Sequence, residues 1–494
     1  MKFLKIGITA IIGLIAYYIL LPAINIQSPV FWIFIAGLVL VYTGMCLISG
    51  GISIIHLLDG DLVFAHTGLK GEGKKAIYGG IAFCLIVVVL LVAMFISSPL
   101  FHSNAYTKLL NVELDGDFNS DVAVITFDHI PSLDKQSAER LGDRKMGEFA
   151  DLVSQFEVSN EYVQINYQNR PVRVTPLLYG DLFKWLGNRA AGIPGYIMID
   201  MVTQEAEVVR LDEGMKYSRS EMFGRNIDRH VRFHYPATMF AWSVFEIDES
   251  GNPYWLYPTM IRKIGLTGGK DIDGLVIVNA ITGEHTRYKL QDVPEWADHV
   301  LPSDLILEQY DYYGAYQNGW LNSVFGQRGV TMTTEGYNYL VIGDDLYVYT
   351  GITSVGRDES NIGFVLTNQR TKETTYYAIP GSHEYSAMDS AEGAVQHLRY
   401  RATFPLLLNI AGEPTYFIAL KDDALLVKMY AMVNVSRYNI VGTGQSIYEC
   451  EQDYKRKLST ELSVEIGDID ISSGPIDYII VYMNGEPYRF EMVV

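Results

Sequence analysis

Hydrophobic positions crowd the start of the chain in long runs and become periodic only later. Three predominantly apolar stretches, Ile6 to Ala23, Val30 to Ile55 and Ala76 to Ser97, each have about the 20 residues that a helix needs to cross about 30 Å of hydrocarbon. The pattern predicts a three-helix membrane anchor within residues 1–104. The first stretch follows Lys2 and Lys5 as the core of a signal peptide would. No small-residue cleavage pattern comes after it and two more spans follow directly, so it reads as a retained helix. No span carries a charge deep within it, and nothing in the three argues that they conduct anything by themselves.

Beyond the anchor a short pattern recurs: Gly, four mostly apolar residues, Asp or Asn, two residues, Thr, one residue, Glu. The copies are Gly195 to Glu205, Gly274 to Glu284 and Gly363 to Glu373. Each begins with β-branched or aromatic residues, turns at Asp200, Asn279 or Asn368, and continues into a second β-rich run. That is a hairpin signal, because Asp and Asn bond their own turn and tolerate left-handed backbone. A second hairpin precedes each copy, with polar turns at Tyr167 to Pro171, Asp248 to Pro253 and Gly343 to Asp345. Related turns recur at Ala411 to Pro414 and Asn484 to Pro487.

Helix-start signals come before the hairpins. Ser218 with Glu221 and Ser446 with Glu449 have capping-box spacing, while Ser137-Ala138-Glu139 and Ser390-Ala391-Glu392 open similar stretches. Starts near 137, 220, 303 and 390 recur about every 85 residues, the mark of tandem duplication. The expected organisation is an anchor at 1–104, a first repeat with a leading hairpin at 105–217, repeats at 218–300, 301–385 and 386–445, and a shortened repeat at 446–494. The expected fold class is α+β: three transmembrane helices followed by tandem repeats of a helix packed on small antiparallel sheets.

A Ser-Ala-Glu helix start, a strand, Asp or Asn, a Thr-Gly-Glu triplet and another strand resemble the PepSY family of exported bacterial domains, over roughly residues 137–400. The middle copy keeps Thr282-Gly283-Glu284; the others read Thr203-Gln204-Glu205 and Thr371-Lys372-Glu373. The resemblance implies a non-catalytic exported module that binds or restrains another envelope protein, often a peptidase. It defines no catalytic residues to carry over.

Charge sharpens the division between anchor and remainder. The 494 residues carry a formal charge of −19, yet the first 104 have five lysines, no arginine and three acids, so the acidity lies wholly in the large domain. Such a surface repels phosphate backbones, which argues against nucleic acid as a partner. Lys2 and Lys5 precede the first span, Lys70, Lys74 and Lys75 separate the second and third, and Leu21 to Pro29 is uncharged. Basic short loops stay in the cytoplasm, so the N-terminus is expected inside the cell and the large domain outside it, with Lys108 slightly weakening the asymmetry. Three cysteines, two of them within apolar stretches, form no disulfide framework and leave the compartment undecided.

Several motifs carry candidate chemistry. Gly68 to Lys75 nearly spells a phosphate-cradling loop, but Lys75 stands where a hydroxyl should meet magnesium, and a flexible basic loop between spans is the favoured reading. Asp115, Asp117, Asn119 and Asp121 alternate as the first four ligands of a calcium loop do, which would imply bound Ca2+. Ser120 and Thr126 occupy the positions of the loop's glycine and closing glutamate, so a polar turn before a strand at Val122 to Phe127 competes with that reading. Tyr310, Tyr312, Tyr313, Tyr316 and Trp320 are either a partner-binding aromatic surface or packing between repeats. His230 and His234 have metal-ligand spacing on an expected helix. No third ligand accompanies them in sequence, and Arg229 and Arg232 stand beside them, so a solvated pair is favoured.

These features lead to a membrane-anchored, extracytoplasmic binding, scaffold, regulatory or inhibitory protein of the bacterial envelope. Its expected partners are the lipid bilayer and another envelope protein or peptide. The alternatives are an enzyme processing wall polymers or peptides between repeats, for which Asp248 and Glu249 are one adjacent acid pair, and an accessory subunit of a transporter.

Overall fold

The computed structural model describes residues 2–49, 72–122, 130–343, 345–355, 360–464, 478–483 and 486–491. The end of the second apolar stretch, half of the near-phosphate loop, all but the first residue of the strand expected from Val122 to Phe127 and parts of the turns at Gly343 and Asn484 lie outside these residues. Three helices open the chain: α1 (Lys2–Leu20), α2 (Pro29–Ser49) and α3 (Glu72–Ile96). Each contains a window of 18 to 24 residues apolar enough to cross a membrane. Small residues let α2 and α3 pack closely: Ala36, Cys46 and Ala76 are buried, and a side chain on Gly79 would collide with the Thr43 hydroxyl.

The remainder is rich in sheet. Four helices introduce four sheets, namely α4 (Lys135–Met146), α5 (Ile227–His234), α6 (Ser303–Tyr316) and α7 (Glu384–Ala394), and α8 (Ile447–Val464) follows the fourth sheet. Each sheet is an antiparallel meander of four strands in chain order. The first has β1 (Val163–Tyr167), β2 (Arg170–Tyr179), β3 (Ile193–Asp200) and β4 (Ala206–Met215). The second has β5 (Val244–Ile247), β6 (Pro253–Ile264), β7 (Gly268–Asn279) and β8 (His285–Lys289). The third has β9 (Asn338–Ile342), β10 (Asp345–Ser354), β11 (Gly363–Asn368) and β12 (Thr374–Tyr377), and the fourth β13 (Leu406–Ile410), β14 (Glu413–Lys421), β15 (Val427–Asn434) and β16 (Val441–Gly444). In every sheet a further short strand pairs with the second strand beside the first. By compactness the chain divides into two units, 1–117 with 128–379 and 118–127 with 380–494. In the larger unit one continuous core underlies the first two sheets, with Tyr196, Phe245 and Trp255 fully buried in it. In the smaller unit Tyr454 of α8 is buried and bonds Thr415 and Asn434 of its sheet.

The recurrent sequence pattern has a specific backbone meaning. Asp200 Oδ1 accepts the N–H groups of Val202 and Thr203; Asn279 Oδ1 accepts those of Ile281 and Thr282; Asn368 Oδ1 accepts those of Arg370 and Thr371. The threonine hydroxyls then accept the N–H of Glu205, Glu284 and Glu373. Between Thr and Glu sits a residue of positive φ: Gln204, Gly283 or Lys372. The leading glycine answers a close approach, since a Cβ on Gly195 or Gly274 would lie 2.1 Å from the Val209 or Tyr288 carbonyl oxygen across the sheet.

Two helix starts differ from expectation. Ser218 does accept the Glu221 N–H, but Glu221 turns its buried carboxylate to Tyr179 Oη (2.9 Å) and Trp185 Nε1 (2.7 Å), and the helix begins later, at Ile227. Ser390-Ala391-Glu392 ends α7 rather than opening it.

The larger unit sits on the ends of its spans through backbone-directed bonds. The Ile24 N–H donates to Pro236 O (2.8 Å), Asn25 Nδ2 to Ala237 O (3.0 Å), Gln27 Nε2 to Arg262 O (3.3 Å) and Arg229 Nε to Tyr18 O (3.3 Å). At the end of α3 the Ser97 hydroxyl accepts the Leu266 N–H from the β6–β7 turn (3.1 Å). Gly274→Ala is expected to destabilise the protein by about 2 kcal/mol, because strand-to-strand backbone must move to admit the methyl. Thermal melting in detergent should show a clear drop for Gly274→Ala and none for Gly224→Ala, where a Cβ meets nothing within 4 Å.

Candidate functional site

α5 is short, and its amphipathic pattern sets what it presents. Asn226 caps its first turn by accepting the Arg229 N–H, Ile227 and Val231 are buried, and His230 and His234 follow each other on one face. β8 begins at His285, immediately after the Asn279–Glu284 turn has set the register of β7 with β8. One ring nitrogen from each of His230, His234 and His285 lies within 4.8 Å of the others, the one such convergence of histidine, cysteine or carboxylate groups among the described residues. His285 is not among the residues that the sequence pattern marks as candidates. The available signal was its position: the residue after the pattern's glutamate starts the fourth strand.

The rings are held from behind. His230 bonds Gly283 O through Nε2 (2.8 Å), His234 bonds His230 O through Nδ1 (2.8 Å), and His285 Nδ1 meets the Tyr235 hydroxyl (2.9 Å). Tyr217 packs on His230 with ring centroids 4.6 Å apart. Partial burial, with the neighbouring histidines, holds His230 and His285 below the ordinary histidine range, so both are neutral near pH 7. The flanking cations are engaged elsewhere: Arg229 with Tyr18 O, Arg232 with the Tyr235 and Thr238 carbonyls, Arg287 with Asp273.

The other candidates from sequence are dispersed. Tyr310 is buried against Leu110, Ile352 and Val365; Tyr312 bonds Glu308 and meets Tyr106 edge-on at 4.7 Å; Tyr316 stacks on Tyr312. Tyr313 and Trp320 are half-buried. Asp115 and Asp117 belong to the larger unit, whereas Asn119 and Asp121 lie in a short helix of the smaller one, where Asn119 Oδ1 accepts from Asn409 and Asp121 Oδ1 from Ser120. Asp248 accepts the Ser250 and Asn252 N–H groups of its own turn, and Glu249 accepts the Gln168 N–H from the neighbouring hairpin.

A second polar cluster, with no signal in the sequence, stitches the first sheet to the second. Glu246 on β5 accepts the N–H groups of Asp298 and His299, Asp298 accepts the Asn166 N–H of β1 (2.6 Å), and His299 bonds Gln164 O of β1 through Nε2 (2.7 Å). Burial pushes Glu246 up to about 8 and raises Asp298 as well, so the pair keeps a proton at neutral pH. Burial also pushes His299 down to about 4. A shallow cavity of about 520 Å3 opens nearby, lined by Asn166, Gln168, Asn169, Glu249, Glu295 and Trp296, and the two buried carboxylates are not on its wall.

An unfolded histidine takes up a proton near its ordinary 6.5, and buried His299 does so only near 4. The unfolded chain therefore binds more protons in that window. As pH falls from about 6.5 to 4, His299 by itself therefore contributes a loss of roughly 3 kcal/mol, opposed by Glu246 and Asp298, whose raised values favour the folded state as they take up protons. On lowering the pH across this window, the melting temperature of His299→Gln should rise relative to that of the wild type at the same pH. No family model and no curated protein matches the chain.

Proposed function

We propose that the protein is a membrane-anchored binding protein of the bacterial envelope, a scaffold, regulator or inhibitor whose large domain lies outside the cytoplasm and captures an extended segment of another envelope protein or peptide. Its manner of action would be that of the PepSY-like modules it resembles. Orientation rests on the lysines flanking the first span and separating the second from the third. The bonds from Ile24, Asn25, Gln27 and Ser97 support a site of action beside the bilayer, because they tie the larger unit to the span ends.

One observation carries the binding mode. The outer edge of the third sheet already accepts an extra strand from this same chain, with Val112 and Glu113 paired in parallel to Thr374 and Thr375 of β12. The corresponding edges of the first two sheets, β4 and β8, carry no further strand among the described residues. An edge strand with unpaired backbone groups is a template for strand addition, where main-chain bonds supply affinity and alternate side chains supply selectivity. The acidic surface suits a basic or neutral segment.

A photo-crosslinking amino acid placed at Glu207 of β4 or Thr286 of β8 in living cells should yield a discrete adduct with an envelope protein. The same probe at Asp143 on α4 should not. Adducts absent from both edges, or equally strong at Asp143, would overturn strand addition. Protease digestion of intact cells that left the large domain untouched would overturn the orientation.

A further inference from the structure

We propose that His230, His234 and His285 form a binding site for a divalent transition-metal ion of the Zn2+ class, with at least one coordination position open to solvent. This is independent of the peptide-binding reading.

α5 already buries Ile227 and Val231, and β8 pairs with β7 through its backbone, yet three imidazoles from both elements face one another. None of the three is deeply buried, and His234 is exposed. Their hydrogen bonds and ion pairs among the described residues include no carboxylate, so they are not gathered to solvate an acid. Each ring instead spends one nitrogen on a carbonyl or on the Tyr235 hydroxyl. Such backing fixes the tautomer and orientation of metal-ligating histidines, with the second nitrogen left to donate a lone pair.

The donor set selects the ion. Imidazole nitrogens suit Zn2+, Cu2+ and Ni2+, whereas Ca2+ and Mg2+ require oxygen shells. Three protein ligands with a fourth position open is the arrangement of reactive rather than structural zinc. A tetrahedral ion with bonds of about 2.1 Å holds its ligands about 3.4 Å apart, so the rings need to close by an ångström or so, a movement open to the exposed His234. A bound ion would join α5, whose Arg229 bonds the end of α1, to the second sheet.

The test uses the full-length protein purified in detergent without a polyhistidine tag. Titration calorimetry with ZnCl2 should show one equivalent bound at micromolar or tighter Kd, and Co2+ in its place should give the intense visible absorption of a tetrahedral site. His234→Ala and His285→Ala are each expected to weaken Zn2+ binding on the order of 100-fold, and Tyr235→Phe roughly 10-fold by releasing the His285 ring. His397→Ala, at an exposed histidine in the smaller unit, should change nothing. His234→Ala removes an exposed side chain, so its fold is checked by melting without metal and its result stands even if His285→Ala unfolds. Zn2+ binding by the wild type no tighter than by a His234→Ala/His285→Ala double variant, or unchanged affinity in a folded His234→Ala protein, would overturn the site.

Discussion

At Asp200, Asn279 and Asn368 one side-chain oxygen takes two successive backbone N–H groups, and a threonine hydroxyl takes a third two residues on. A turn closed this way has one geometry, and because side chains alternate across a strand, fixing the turn fixes which of them face the core. The rest of each repeat depends on it. The residue after the Asx donates its N–H to the start of the second strand, as Met201 does to Pro171, Ala280 to Pro253, Gln369 to Leu346 and, in the fourth sheet, Val435 to Pro414. One small bonding unit thus ties three strands together, and it sets where the fourth begins.

The same turn contains a slot that its geometry leaves chemically available. Gln204 reaches Ser132 from that positive-φ position, Gly283 offers its carbonyl to His230, and Lys372 reaches the buried Asp271 at 2.5 Å. Departures from Thr-Gly-Glu are therefore assignments of the slot to different contacts within the larger unit.

Legibility followed the physics of each feature. The spans could be read because lipid demands apolarity over a continuous length, with no partner elsewhere to compensate. The turns could be read because Asx and Thr act locally. Glu221 misled the placement of α5 because its partners, Tyr179 and Trp185, come from the preceding sheet and outcompete the local cap. His285 was invisible beside His230 and His234 because contact across a strand and a helix leaves no spacing in the chain. The tyrosine run was recognisable as an aromatic face, but its neighbours are set by Tyr106, Leu110 and Val365, which arrive from either side in sequence. Glu246, Asp298 and His299 looked like ordinary polar residues because their burial arises only where two sheets meet.

The short parallel pairing of Val112–Glu113 with Thr374–Thr375 bears on the order in which the molecule is made. The segment leaving the third span is synthesised early, and its partner strand emerges only after most of three sheets has been built. Contacts so distant in sequence carry a large loop-closure cost, whereas the intervening meanders pair neighbouring strands at little such cost. The third sheet can therefore gain its outermost pair only once its last strand is present, and until then those two juxtamembrane residues have no strand to pair with.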